Sequence, residues 1–424
     1  MQEDFLHYIW KYKKFDFQNL KTVDGKSVII TSFGQHNHDA GPDFFNAQLK
    51  IDGQTWAGNV EIHIKSSDWY VHRHEKDKAY DNVILHVVWE HDADIYRADN
   101  SVLDTLELKP YVNPKLLAEY EKLMYQSNAW INCENDFNSI DNFTLENWLE
   151  RLYLERLQCK SEDINQLLKK AQNDWEAVLF IMLARAFGLK VNGSAFLSMA
   201  QSIPFSIVRK VASDGQDLES LFFGQSGLLD LDSEDAYFKD LKKRYFYLKQ
   251  KFQFENGAVE SSRFFRLRPP NFPTIRLAQL ATLYTQQNLF SKVIQTNTLD
   301  DFYKLLCVTP SNYWQTHYNF GTPSKASKKK MTKPFVDLLL INAIIPLKFS
   351  YAKANGKTID SELLDVISEI KLESNSIVDK FFELKPMKKS ALTSQALIQL
   401  KNNYCDKNRC VSCAIGNQLI LGNN

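Results

Sequence analysis

A chain of 424 residues is too long for one ordinary hydrophobic core and implies two or three domains. Its 44% hydrophobic and 24% charged residues are typical of a soluble globular protein. With 51 Lys+Arg against 51 Asp+Glu, net charge offers no argument for binding nucleic acid, although a local basic face would still permit it.

The start Met1-Gln2-Glu3-Asp4 lacks a basic region followed by an apolar run, so no secretory leader is expected. Residues 3–14 read as a short amphipathic helix with Phe5, Leu6, Ile9 and Trp10 on its apolar side. Strands follow at Ser27–Thr31, Asn46–Ile51, Trp56–Ile64 and Val83–Trp89, with a turn at Asp52-Gly53 and a further strand near Leu103–Leu108. Asp68–Tyr80 reads as either a helix or an irregular loop. A helix to about Met124 is predicted to start with Asn113 as cap and Pro114 at its first position.

From about Asn142 the pattern becomes helical: Leu145–Leu157, Ile164–Leu168, Trp175–Phe187, Asp232–Tyr247 and Thr274–Tyr284. The most apolar segment, around Val336–Pro346, reads as a buried helix. No continuous apolar stretch approaches the length that crosses a bilayer, so no membrane association is expected. The expected fold class is α+β: a mixed α/β domain over residues 1–128, then a mainly helical domain over 129–424 that ends in a cysteine cluster. Six cysteines in so long a chain point to a reduced, cytoplasmic protein.

Seven of the nine histidines fall between His36 and His91: His36, His38, His63, His72, His74, His86 and His91. Their interleaving with carboxylates suggests chemistry. On a strand, Glu61, His63 and Lys65 share one face while Val60, Ile62 and Ile64 share the other. Asp43, after Pro42 at a strand start, supplies a second carboxylate. Asp43 and Glu61 can hold Mg²⁺ or Mn²⁺ through oxygen, while His63 or Lys65 orients water or stabilises charge. His72 and His74 can ligate Zn²⁺ with Asp77 or His63, or surround a phosphate with Arg73 as clamp, or simply satisfy a tight loop. His86, among Val83, Ile84, Leu85, Val87 and Val88, is expected to point out from a buried strand rather than into a metal.

Pro42-Asp43, a hairpin-sized gap and Glu61-x-His63 resemble the PD-(D/E)xK nuclease superfamily over about residues 1–90, with His63 where that pattern has lysine and Lys65 as a substitute. The resemblance implies a restriction-endonuclease-like fold and an acidic residue on the preceding helix, a place Glu3 would fill. It also implies a metal-dependent nuclease acting on nucleic acid. Two other readings stand beside it: another metal-dependent hydrolase, and a non-catalytic binding or assembly module with a structural His/Asp cluster. The protein partner and oligomeric state stay open.

Gly41-Pro42-Asp43-Phe44, Gly58–His63, Asp68-Trp69, His72-x-His74 and Val83–Val88 are similar to a bacterial family of unknown function common in Bacteroidetes, domain-of-unknown-function family 2851. Leu221–Gln225, Arg266–Pro273 and Cys410-x-x-Cys413-Ala414 extend the likeness over nearly the whole chain. Later, Arg263, Arg266, Arg268 and Arg276 surround a proline-rich turn; they can clamp phosphate or pair with acids. The lysines of Ser324–Lys333 and Lys385–Lys389 are either backbone-following patches or solvated loops. Cys405, Cys410 and Cys413 form Cys-x4-Cys-x2-Cys, and with Cys133 as fourth ligand they suit Zn²⁺ or an iron–sulfur cluster; Cys159, Cys307 or a histidine can take the fourth place, and a packed cysteine turn is the alternative.

Overall fold

Helix α1 (Glu3–Lys11) buries Phe5, Leu6, Tyr8, Ile9 and Trp10. It stops three residues short of the predicted end because Lys13 turns into the left-handed region at φ 54°. A computed structural model of the protein describes residues 1–37, 39–125, 129–253, 259–357 and 361–422, so His38 lies outside the described residues. The chain divides into two units: Met1–Trp148 with Glu383–Lys385 and Leu400–Asn424, and Leu149–Phe382 with Pro386–Gln399.

The first unit is a mixed α/β domain built on one sheet. Its strands are β1 (Leu20–Lys21), β2 (Ser27–Ser32), β3 (Gln35–His36), β4 (Phe44–Ile51), β5 (Gln54–Lys65), β6 (Val83–Glu90) and β7 (Thr105–Glu107), in the order β1-β2-β4-β5-β6-β7 with β3 beside β4. β2, β4 and β5 pair antiparallel, whereas β5–β6 and β6–β7 are parallel. That explains β6: with parallel neighbours on both sides, Val83–Val88 are all buried and no alternation survives.

The hairpin β4–β5 closes at Asp52 (φ 45°) and Gly53 (φ 81°), the two successive positive angles a two-residue turn requires. Near the turn Ala47 faces Gly58, but farther on Phe44 faces Val60. One extra residue therefore sits on β4, and Asn46 (φ 57°) absorbs it as a bulge. Gly58 itself admits no side chain, since a Cβ there would lie 2.5 Å from Asn82 O and from Ile84 Cγ2.

Between β5 and β6 the chain makes one α-turn, α2 (Asp68–Val71), then two 3₁₀ turns at His74–Lys76 and Lys78–Tyr80. The segment is thus a run of short helical turns joined by irregular steps, in part each of the two expected forms. Helix α3 (Pro114–Met124) begins as predicted, with the Asn113 side chain accepting from Lys115 N at 2.9 Å.

The second unit is mainly helical. Asn142–Lys170 runs as one helix where the spacing predicts two pieces, and Trp175–Phe187 is capped by Asp174. Around Val336–Pro346 the helix is longer than expected. Lys333–Ala354 continues for 22 residues through a π-turn at Leu340–Ile344, because the isolated Asp337, Asn342 and Lys348 do not interrupt it. It is long and apolar enough to cross a membrane, unlike any stretch expected from sequence, yet 67% of its most apolar window is buried inside the protein, as in a core helix.

Candidate metal centre

The bulge at Asn46 decides where the two carboxylates stand. Carried past Phe44–Val60, the register sets Asp43 opposite Glu61. Asp43 N donates to Glu61 Oε2 at 3.1 Å, and Ile62 N donates to Asp43 Oδ2 at 2.9 Å. Each acid thus pins the strand that carries the other.

Glu61 and His63 lie on β5 at alternate positions, so both side chains leave on the same side. They are 5% and 1% exposed, buried polar groups on a strand that sequence treats as half-solvated. Over Val60–His63 both faces of the strand are in fact buried, and α1 and α2 each contact it. The second pair comes from the irregular segment. His72 ends α2, His74 begins the next turn, and Arg73 between them adopts φ 62°. In a continuing helix residues two apart point to opposite sides; the left-handed step at Arg73 folds the chain back and turns both rings the same way.

The rings converge. His63 Nε2 is 3.0 Å from His72 Nδ1, and Glu61 Oε1 is 3.3 Å from His74 Nε2 and 3.6 Å from His63 Nε2. Among the described residues, His63, His72 and His74 are the set whose ligand atoms all lie within 4.8 Å of one another, and they can coordinate a metal ion. His74 Nε2 is buried and, despite its approach to Glu61, makes no aligned hydrogen bond. An inward-facing imidazole nitrogen left in that state fits a cation's ligand.

The surroundings fix the rings. His86 does not point out from its strand: it is wholly buried, with Nε2 2.8 Å from His63 Nδ1. If His63 Nε2 serves a metal, Nδ1–H donates to His86, and the His86 proton sits on Nδ1, which has no partner. Tyr80 stacks on His74 at 3.7 Å between ring centres, and Trp69 packs edge-on against His74 and tilted against His86.

Burial pushes Glu61 up to about 9, with the charge of Asp43 adding to it. Burial also pushes His63 down to about 3, helped by the neighbouring imidazoles His74 and His72. His74 and His86 are lowered mainly by burial as well. His63 and His74 are therefore neutral and able to coordinate, while the Glu61 carboxyl beside them keeps its proton until a cation replaces it.

Glu3 and His7 reach this centre from α1. Burial pushes Glu3 up to about 7; the charge of His7 opposes this, and those of Asp43, Glu61 and Asp68 add to it. His7 Nε2 is 3.2 Å from Asp43 Oδ2; burial works against its protonation, but Asp43 and Glu3 outweigh that and raise its pKa. Sequence reading missed His7. The available signal was the helical spacing Glu3, His7, Lys11, one polar stripe on an otherwise apolar helix.

Other expected residues stand apart. Lys65 is exposed at the end of β5, where its N–H meets Asp68 and its charge acts on Asp92. Asp77 caps its own turn by accepting from Ala79 N at 2.9 Å. His91 is held by Ser66 Oγ at 3.2 Å, and His36 stacks on Phe44. In the helical unit Arg263, Arg266 and Arg268 are exposed, while Arg276 is buried over the Phe335 ring and bonded to Gln279 and Asn271. Lys329 is engaged by Gln315 O and Ser327.

All six cysteines are unpaired. Cys133, Cys405, Cys410 and Cys413 line one small cavity, but their sulfurs do not converge as the histidine nitrogens do. Cys159 is exposed and Cys307 half-buried, both in the other unit.

The family described as "Protein of unknown function (DUF2851)" matches residues 3–376. No curated protein and no solved structure matches the chain.

Proposed function

The chain belongs to the DUF2851 family, and from the centre just described we propose that it is a divalent-metal-dependent nuclease hydrolysing phosphodiester bonds of nucleic acid. The observation that carries this reading is the meeting of Glu61, His63, His72 and His74, with Asp43 bonded to the strand beneath them.

Three imidazoles and a carboxylate can hold the ion and leave coordination positions for water and a phosphate oxygen. Of Mg²⁺ and Mn²⁺, this donor set favours Mn²⁺, because Mg²⁺ prefers oxygen ligands alone. When bound, the ion would acidify a water and neutralise charge on the phosphoryl oxygens. Asp43 sets the position of Glu61, and His7 against Asp43 is placed to exchange a proton at the edge of the centre. Lys65, at the strand's exposed end, is left to a contact with the substrate backbone rather than with the reacting group.

Support for a nuclease in particular comes from the parts of the superfamily pattern. Asp43, Glu61 and the helix acid Glu3 act on one another's charge around one point, although they come from β5, α1 and the residue before β4. Six unpaired cysteines suit a reducing compartment, and we place the protein in the cytoplasm.

The test is a panel of Mg²⁺, Mn²⁺ and Zn²⁺ with single- and double-stranded DNA and RNA, comparing wild type with Glu61→Ala and Asp43→Ala. Cleavage that needs metal and falls at least about 100-fold in Glu61→Ala is expected. Cleavage unchanged in both variants removes the centre from the reaction. Tight metal binding with no cleavage of any substrate favours the binding-module alternative.

A further inference from the structure

We propose a second metal centre in the first unit, a thiophilic one ligated by the thiolates of Cys133, Cys405, Cys410 and Cys413. It is independent of the histidine centre and of the nuclease reading.

Four cysteines distant in sequence, Cys133 and three from the last twenty residues, line one small cavity. Cys133 precedes the turn Glu134–Ser139; Cys405 closes the π-turn Lys401–Cys405; Cys410 opens the turn Cys410–Ser412; Cys413 precedes the helix Ala414–Leu421. All four line one cavity of about 20 Å³, room for one small ion or water. A buried water needs two to four good hydrogen-bonding partners, and thiols are weak ones. A cavity lined by four cysteines, with few good hydrogen-bonding groups beside them, therefore suits a soft cation better than a water.

Burial raises the pKa of all four thiols, and donors aimed at two of the sulfurs oppose that rise. The amides of Ile415 and Gly416 at the start of the last helix donate to Cys413 Sγ. Asn132 Nδ2 lies 3.5 Å from Cys410 Sγ. Gly416 is the residue that permits the fit, since a Cβ there would stand 2.1 Å from Cys410 O. Donors aimed at sulfur are the outer partners expected of a metal-bound thiolate.

Around one Zn²⁺ at about 2.3 Å, four sulfurs lie about 3.8 Å apart. The sulfurs here are more widely set than the histidine nitrogens, so either one ion draws them inward or an iron–sulfur cluster spans them. Both are the same ligand chemistry, and elemental content tells them apart.

The full chain is purified anaerobically without chelator, and zinc, iron and acid-labile sulfide are measured in wild type, Cys413→Ser, Cys159→Ser and the double variant His72→Ala/His74→Ala. Wild type, Cys159→Ser and the histidine variant are expected to carry about one zinc, or several irons with matching sulfide and visible absorption, and Cys413→Ser to lose most of it. Less than about a tenth of an equivalent of either metal in wild type overturns the proposal. So does a metal that survives Cys413→Ser but leaves with the histidines. Should Cys413→Ser fail to fold, thiol alkylation of native wild type decides. A rise of about four reactive thiols on adding chelator supports the centre; an unchanged count overturns it.

Discussion

Asp43 and Glu61 stand opposite each other because β4 carries one residue more than β5 between the turn and the site. In the register near the turn, Ala47 to Gly58, a flat hairpin would have set Glu61 across from Phe44. The bulge at Asn46 moves the pairing by one and brings acid to acid, each accepting a backbone N–H next to the other. Without metal the arrangement is costly, since the buried Glu61 carboxyl cannot ionise cheaply, least of all beside half-buried Asp43. The rise of Glu61 to about 9 expresses that cost.

Deleting Asn46 should therefore cost the centre more than the fold. The hairpin can pair without the bulge, but the shift returns Glu61 to the place across from Phe44. Mn²⁺ affinity is expected to fall by about 10–100-fold, the loss typical when a ligand's support is removed. Isothermal titration with a circular-dichroism control checks this. Unchanged affinity in a folded deletion variant would show that the bulge does not set the site.

Metal binding at pH 7 should release about one proton. Glu61, at about 9, holds a proton there that a cation must displace, whereas His63, at about 3, is neutral already and has none to give. Titration in buffers of different ionisation heat measures the number. Affinity should rise about tenfold per pH unit until about pH 9 and then level off. Glu61→Gln should bind more weakly and release nothing from this position. Equal proton release in wild type and Glu61→Gln would contradict the assignment.

Much of this centre was legible in the residues. The density of histidines marked the region, Asp52-Gly53 marked the turn, and alternation on β5 placed Glu61 with His63. The uninterrupted helix and strand patterns also separated the α/β part from the helical part. Three things were not legible. A bulge at Asn46 leaves no pattern in hydrophobicity, because Phe44, Ala47 and Leu49 remain buried on either side of it. The left-handed step at Arg73 falls on a residue type that rarely takes it. His7 and His86 join through packing between elements, and no local periodicity records that. Lys65 looked like part of the polar face by alternation alone, but at the strand's end it is exposed.

Arg73 offers a separation of stability from site geometry. A non-glycine residue in the left-handed region costs about 1 kcal/mol, and glycine takes that conformation freely. Arg73→Gly should leave metal affinity within about twofold and change stability by no more than about 1 kcal/mol. Arg73→Val, β-branched, should resist the turn and weaken both stability and metal binding. Urea melts with and without Mn²⁺ check the pair. If Arg73→Gly loses affinity as severely as Arg73→Val, then the guanidinium itself, rather than the backbone it occupies, serves the site.

Chelated, metal-free protein should lose stability as pH rises above neutrality, the reverse of the usual behaviour of a paired carboxylate. Glu61 is raised from 4.5 to about 9, so the folded state keeps a proton that the unfolded chain gives up. Its contribution is whole below about 4.5 and is lost progressively up to about 9. Glu3, raised from 4.5 to about 7, acts in the same direction over a shorter range. His63, lowered from 6.5 to about 3, and His86, lowered further, act the other way: their contribution is whole above 6.5 and lost as pH falls. His7, raised, and His74, lowered, oppose one another near 6.5. Two acids against two imidazoles leave the curve nearly flat between 4.5 and 6.5. Between about 7 and 8 Glu61 dominates, with a slope of about 1.4 kcal/mol per pH unit at most, and above about 8 Lys160, lowered by burial from 10.5 to about 8, opposes it. Urea unfolding in chelator from pH 5 to 9 should show that decline, and saturating Mn²⁺ should abolish it by replacing the proton with a cation. Glu61→Gln should remove it as well, since glutamine has no proton to lose. A metal-free protein that gains stability between pH 7 and 8, below the range where Lys160 acts, would mean that Glu61 is already ionised in the fold, and the proton release on metal binding would then have another source.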